Sequence, residues 1–158
     1  MTRIKICGIR DKESARAACD AGADALGFVF YGPSPRAVTA DAIAPIVAEL
    51  TPLVSAVGLF VDPSHREVQQ VLDAVALDVL QFHGGESAEF CESFGRPYIK
   101  AIPMRPDVDL AAEVASHPMA RAFLLDAWHE DMAGGTGEVF DWSRIGSLKC
   151  PWILAGGL

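Results

Sequence analysis

Short apolar runs recur along this chain at intervals of roughly twenty to thirty residues, the length of one βα unit. They occupy residues 4–7, 25–30, 54–61, 78–82, 98–102, 122–125 and 152–155. Runs this short and this continuous read as strands covered on both faces, the signature of a parallel sheet under helices. No domain linker interrupts the series, so the pattern predicts one α/β domain.

The intervening segments carry helix signals. Asp11 is placed to cap a first helix, and Gly22 stands where a glycine ends one. Thr39 precedes Ile43, Ile46, Val47 and Leu50, a stripe at helical spacing. Pro45 lies inside that stripe and is expected to kink the helix or delay its start. Ser64 and Glu67 form a capping box ahead of Val68, Val71, Leu72 and Val75. Further helices are expected over 86–94, stopped by Gly95, and over 108–115.

Two architectures accommodate such a series: an open doubly wound sheet and a (β/α)8 barrel. The first should carry GxGxxG after its first strand, and none is present. The barrel is therefore favoured. Barrels have about 200 residues or more, whereas this chain has 158. The expectation is a single (β/α)8-barrel domain over residues 1–158, truncated after strand 7 and lacking the last helix-strand-helix. Its first and seventh strands would then show apolar, unpaired edges that favour self-association and inactivity.

The formal net charge of −8 argues against nucleic acid or an anionic membrane surface as partner. Any anionic ligand must be held locally, by a few placed cations and backbone amides. Cys7, Cys19, Cys91 and Cys150 form neither a disulfide framework nor a zinc pattern. No signal peptide opens the chain and no apolar run is long enough to span a bilayer, so a cytoplasmic protein is expected.

In a barrel the strand ends converge on one mouth, where chemistry collects. The residues there are Cys7, Arg36, Asp62, His83, Asp126 and Gly156-Gly157. A lone cysteine is most often a small buried hydrophobe, and Asp62 before Pro63 reads most simply as a turn residue. Arg36, on a loop stiffened by two prolines, is either a solvated cation or a ligand to an anion; His83, before two glycines, is either a loop residue or part of the site. Asp126 closes the run 122–125, where a part-buried carboxylate needs a partner or a task. Lys5 shares a strand face with Cys7 by alternation. Gly134, Gly135, Thr136 and Gly137 form a glycine-rich loop suited to a lid or an anion site.

Seven stretches in order carry a resemblance. They are Lys5-Ile6-Cys7-Gly8-Ile9, Gly27-Phe28-Val29-Phe30 through Ser34-Pro35-Arg36, Gly58-Leu59-Phe60-Val61-Asp62 and Leu80-Gln81-Phe82-His83-Gly84. They continue with Leu125-Asp126, then Gly134-Gly135-Thr136-Gly137 with Phe140-Asp141-Trp142, and Leu154-Ala155-Gly156-Gly157-Leu158. The chain resembles the phosphoribosylanthranilate isomerases of tryptophan biosynthesis over its whole length. Departures are small: Gly32 precedes Pro33 where the family often has proline and lysine, and Trp128-His129 lies in a variable segment.

The resemblance implies an Amadori rearrangement of N-(5′-phosphoribosyl)anthranilate, an aldose-to-ketose isomerisation that needs an acid and a base but no metal and no cofactor. It makes Cys7 the base, acting as thiolate, and Asp126 the acid, which must hold a proton where a free aspartate is ionised. It assigns Arg36 to the anthranilate carboxylate, as a bidentate fork, and Gly156 and Gly157 to half of a phosphate site. His83 and Gln81 are expected to line the pocket, with no step assigned. Rival readings are another phosphosugar barrel enzyme and a non-catalytic barrel fragment that binds a sugar phosphate. Indole-glycerol-phosphate synthases use a lysine and glutamate pair, and the histidine-pathway isomerase an aspartate after strand one; Cys7 speaks against both.

Overall fold

Each strand of this chain is followed by a helix that packs back on the sheet, up to the sixth strand. The computed structural model describes residues 2–127, 145–146 and 148–156. The order is β1 (Lys5–Cys7), α1 (Lys12–Asp20), β2 (Ala25–Val29), α2 (Ala40–Ala48), β3 (Ser55–Phe60) and α3 (His65–Ala74). Then come β4 (Val79–Phe82), α4 (Ala88–Glu92), β5 (Tyr98–Pro103), α5 (Leu110–Ser116), β6 (Ala122–Asp126) and β7 (Trp152–Ala155).

All neighbouring strands pair in parallel, in the unbroken spatial order β1 to β7. A doubly wound sheet reverses its strand order partway; this one never does. Winding in one direction only is the topology of a barrel wall, here an arc of seven strands among the described residues. Ile4, Ile6 and Trp152, beside or on the outermost strands, are exposed hydrophobics. No helix among the described residues is long and apolar enough to cross a membrane.

The caps follow the local sequence. Asp11 accepts from the Ser14 amide at 2.8 Å, and the Ser64–Glu67 capping box is formed in both directions. Thr39 accepts from the Ala42 amide, and α2 begins at once behind it and runs through Pro45. The expected delay is therefore corrected: Pro45 removes one rung of the ladder, while Ile43, Ile46 and Val47 bury against the sheet and hold the helix. The fourth helix is also shorter than expected. Ser87, not Glu86, starts it by accepting from the Phe90 amide, and Glu86 stays outside with a buried side chain. Likewise Asp109 caps α5, which displaces the expected start at 108.

Side-chain alternation sorts the sheet into two faces. On β6, Phe123 and Leu125 pack outward with Ile102, Met104 and the α5 residues Leu110 and Val114. Ala122 and Leu124 pack inward with Val79, Ile99, Ala101, Ile153 and Ala155. Asp126 is next in the inward series, as are Gln81 and His83 after Val79 on β4. The inner face is thus apolar toward the amino ends of β4 to β7 and turns polar at the carboxyl ends of β4 and β6.

Candidate active site

Cys7 ends β1, and its register partner is Gly27 on β2. A β-carbon on Gly27 would stand 2.9 Å from the Cys7 sulfur and 3.2 Å from Lys5 Nζ. Only a bare glycine leaves that point clear, so the thiol and the ammonium both reach across β2. Gly8 follows with φ +90, a turn that favours glycine, and the Arg36 side chain lies against it. Arg36 Nη1 donates to the Cys7 carbonyl at 3.3 Å. The Arg36 backbone amide donates to Ser34 Oγ at 3.2 Å, fixing the proline-stiffened loop that presents it. Arg36 is exposed, its guanidinium against the backbone of Cys7 and Gly8.

On the far side, Asp126 ends β6 with 12% of its side chain exposed. Its Oδ2 lies 3.1 Å from His83 Nε2, and His83 Nδ1 lies 3.0 Å from Gln81 Nε2. Gln81 is 1% exposed, so it stands behind His83 rather than at the mouth. Gly156, at φ +76, closes over the acid: a β-carbon there would lie 3.2 Å from Asp126 Oδ1 and 2.6 Å from Ala127 Cβ. Gly157 and the Gly134, Gly135, Thr136, Gly137 loop, with Trp128, His129 and the 140–142 stretch, lie outside the described residues.

Asp62 takes the turn role. Its φ is +44, and Oδ1 accepts from the Gly85 amide at 2.6 Å. Two residues that the sequence reading passed over sit beneath this turn. Glu86 accepts from the amides of Asp62 (2.9 Å) and Gly84 (3.0 Å) and pairs with Lys100 Nζ at 3.0 Å, both side chains almost fully buried. Lys100 also donates to the Gly84 carbonyl. This pair binds the loops after β3 and β4 to β5, and so fixes the backbone that carries His83. The signal was present: a lysine inside the apolar run 98–102 demands a buried anion.

Cys91 shows what an unused thiol looks like here. It is fully buried on the inward side of α4, and burial, with Glu86 nearby, pushes its pKa up to about 12. Such a thiol is inert. Cys7 is half-buried instead, with the Lys5 ammonium close to its sulfur.

A parallel sheet wound in one direction, with its polar groups gathered at the carboxyl ends of the strands, is built as βα-barrel enzymes are. Comparison with known proteins narrows the class. The family model for N-(5′-phosphoribosyl)anthranilate (PRA) isomerase matches residues 4–158, and the chain belongs to that family. The N-(5′-phosphoribosyl)anthranilate isomerase of Hahella chejuensis is 53% identical over 157 residues, covering 99% of this chain and 74% of its own length. That of Pseudomonas paraeruginosa is 54% identical with the same coverage. Among solved structures, phosphoribosyl anthranilate isomerase from Thermus thermophilus superposes with a TM-score of 0.86 at 37% identity, covering 99% of this chain and 78% of that one. A phosphoribosyl anthranilate isomerase in complex with reduced 1-(o-carboxyphenylamino)-1-deoxyribulose 5-phosphate gives 0.84 at 33% identity, covering 100% and 77%.

Proposed function

We propose that this chain isomerises N-(5′-phosphoribosyl)anthranilate to 1-(2-carboxyphenylamino)-1-deoxyribulose 5-phosphate, with Asp126 as general acid and Cys7 as general base. The observation that carries the reaction is the chain-long match, at 53% identity, to proteins of that activity. What supports the residue roles is the placement of Cys7 and Asp126 at the same end of the sheet, on β1 and β6.

Asp126 gives its proton to the furanose oxygen as the C1–O bond breaks, and the bonding pair goes to that oxygen. The nitrogen lone pair forms the Schiff base at C1. Cys7 thiolate then takes the C2 proton, and the C2–H electrons flow toward the cationic nitrogen to give an enaminol. Tautomerisation yields the aminoketose. Lys5 is the counter-charge beside the sulfur, and Arg36 receives the anthranilate carboxylate next to it. Gly156 contributes backbone to the phosphate end.

Steady-state kinetics on Cys7→Ser and Asp126→Asn test the roles. Loss of either proton-transfer group should lower kcat by about 10²–10⁴-fold, with KM little changed because neither is a main binding contact. Turnover within a few-fold of the parent in one variant would remove that residue from its step.

A further inference from the structure

Gln81 poses a chemical question. It is 1% exposed on the inner face of β4, and its Oε1 has no hydrogen-bond partner among the described residues. A buried amide with an orphaned oxygen is less favourable than an apolar side chain of the same size. Among the described residues, the polar contact its amide makes is from Nε2 to His83 Nδ1, at 3.0 Å.

The orientation of that amide sets which imidazole nitrogen carries the proton. With the amide oriented so that Nε2 faces Nδ1, its N–H donates, Nδ1 accepts and the His83 proton sits on Nε2. Nε2–H then donates to Asp126 Oδ2, 3.1 Å away. With Oδ2 accepting, a carboxylic proton on Asp126 belongs on Oδ1, the oxygen beside Gly156. We propose that Gln81 is a positioning residue that fixes His83 as the Nε2–H tautomer, leaving the transferable proton of Asp126 on Oδ1. When Asp126 gives up that proton, its new charge already faces an N–H, and the bond becomes charge-assisted. The His83 backbone amide is itself tied to the Phe60 carbonyl at 2.9 Å, so the ring is aimed from both ends.

This inference rests on the acid role given to Asp126. Its first test does not: nitrogen-15 spectra of unliganded, histidine-labelled protein report each ring nitrogen directly. His83 should show a bare, pyridine-type Nδ1 and a protonated Nε2. Gln81→Glu puts an acceptor at the same place and should move the proton to Nδ1. It should also lower kcat about 10²-fold, the scale of a general acid, with KM within a few-fold. Gln81→Met, which removes the donor without inverting it, should lose less. A protonated Nδ1 in the parent overturns the proposal with no variant needed, as does an unchanged kcat in Gln81→Glu. A parent with the expected tautomer but no isomerase turnover counts against the reaction assigned above, not against the tautomer.

Discussion

Replacing Lys100 by Met should be among the most damaging single changes outside the chemistry. The Lys100 and Glu86 side chains are 5% and 2% exposed. Removing the ammonium strands the Glu86 carboxylate in the interior and leaves the Gly84 carbonyl short of a donor. Breaking a buried pair from one side costs about 3–5 kcal/mol. Glu86 keeps the amides of Asp62 and Gly84, which puts the expectation near the lower end. Against a total stability of about 5–15 kcal/mol, that is a large share. Urea unfolding is the assay. With a slope of about 1–3 kcal/mol/M, the midpoint should fall by roughly 1–3 M. Adding Glu86→Gln to Lys100→Met should restore more than half of the loss, because no lone charge remains buried. A loss under about 1 kcal/mol in the single variant, or no recovery in the double, would refute the account of this pair as the clamp under the His83 loop.

Two other expectations concern the mouth and the outer layer. Arg36→Met should raise KM with kcat nearly unchanged, since a non-reacting carboxylate is held equally in ground and transition states; a pure kcat effect in steady-state kinetics would contradict it. His117 is buried against Tyr98, and burial first, then Lys100, lowers its pKa from the ordinary 6.5. The unfolded chain therefore binds the proton first as pH falls through 6.5, so the stability carried by neutral His117 is full above that value and is lost below it. Urea midpoints measured across this window should fall with pH in the parent and fall less in His117→Leu; parallel profiles would show that another group titrates.

The order and kind of elements were legible in the chain because they depend on local chemistry. Apolar runs at βα spacing, Asp11, Thr39 and Ser64 as caps, and the missing dinucleotide fingerprint were enough to reach a parallel sheet of barrel type. The strand-end residues followed from the same periodicity, since alternation alone puts Cys7 and Lys5 on one face. The family was legible too, in seven short stretches whose order matters more than any one of them. What the sequence could not carry is contact between residues far apart along it. Glu86 reads as the first turn of a helix until Ser87 is seen to cap that helix and Lys100, fourteen residues on, is seen to need an anion. Gln81, His83 and Asp126 read as three separate polar residues. Only the packing of β4 near β6 makes them one chain of hydrogen bonds, because proton position is set by the partner across space and not by the neighbour in sequence.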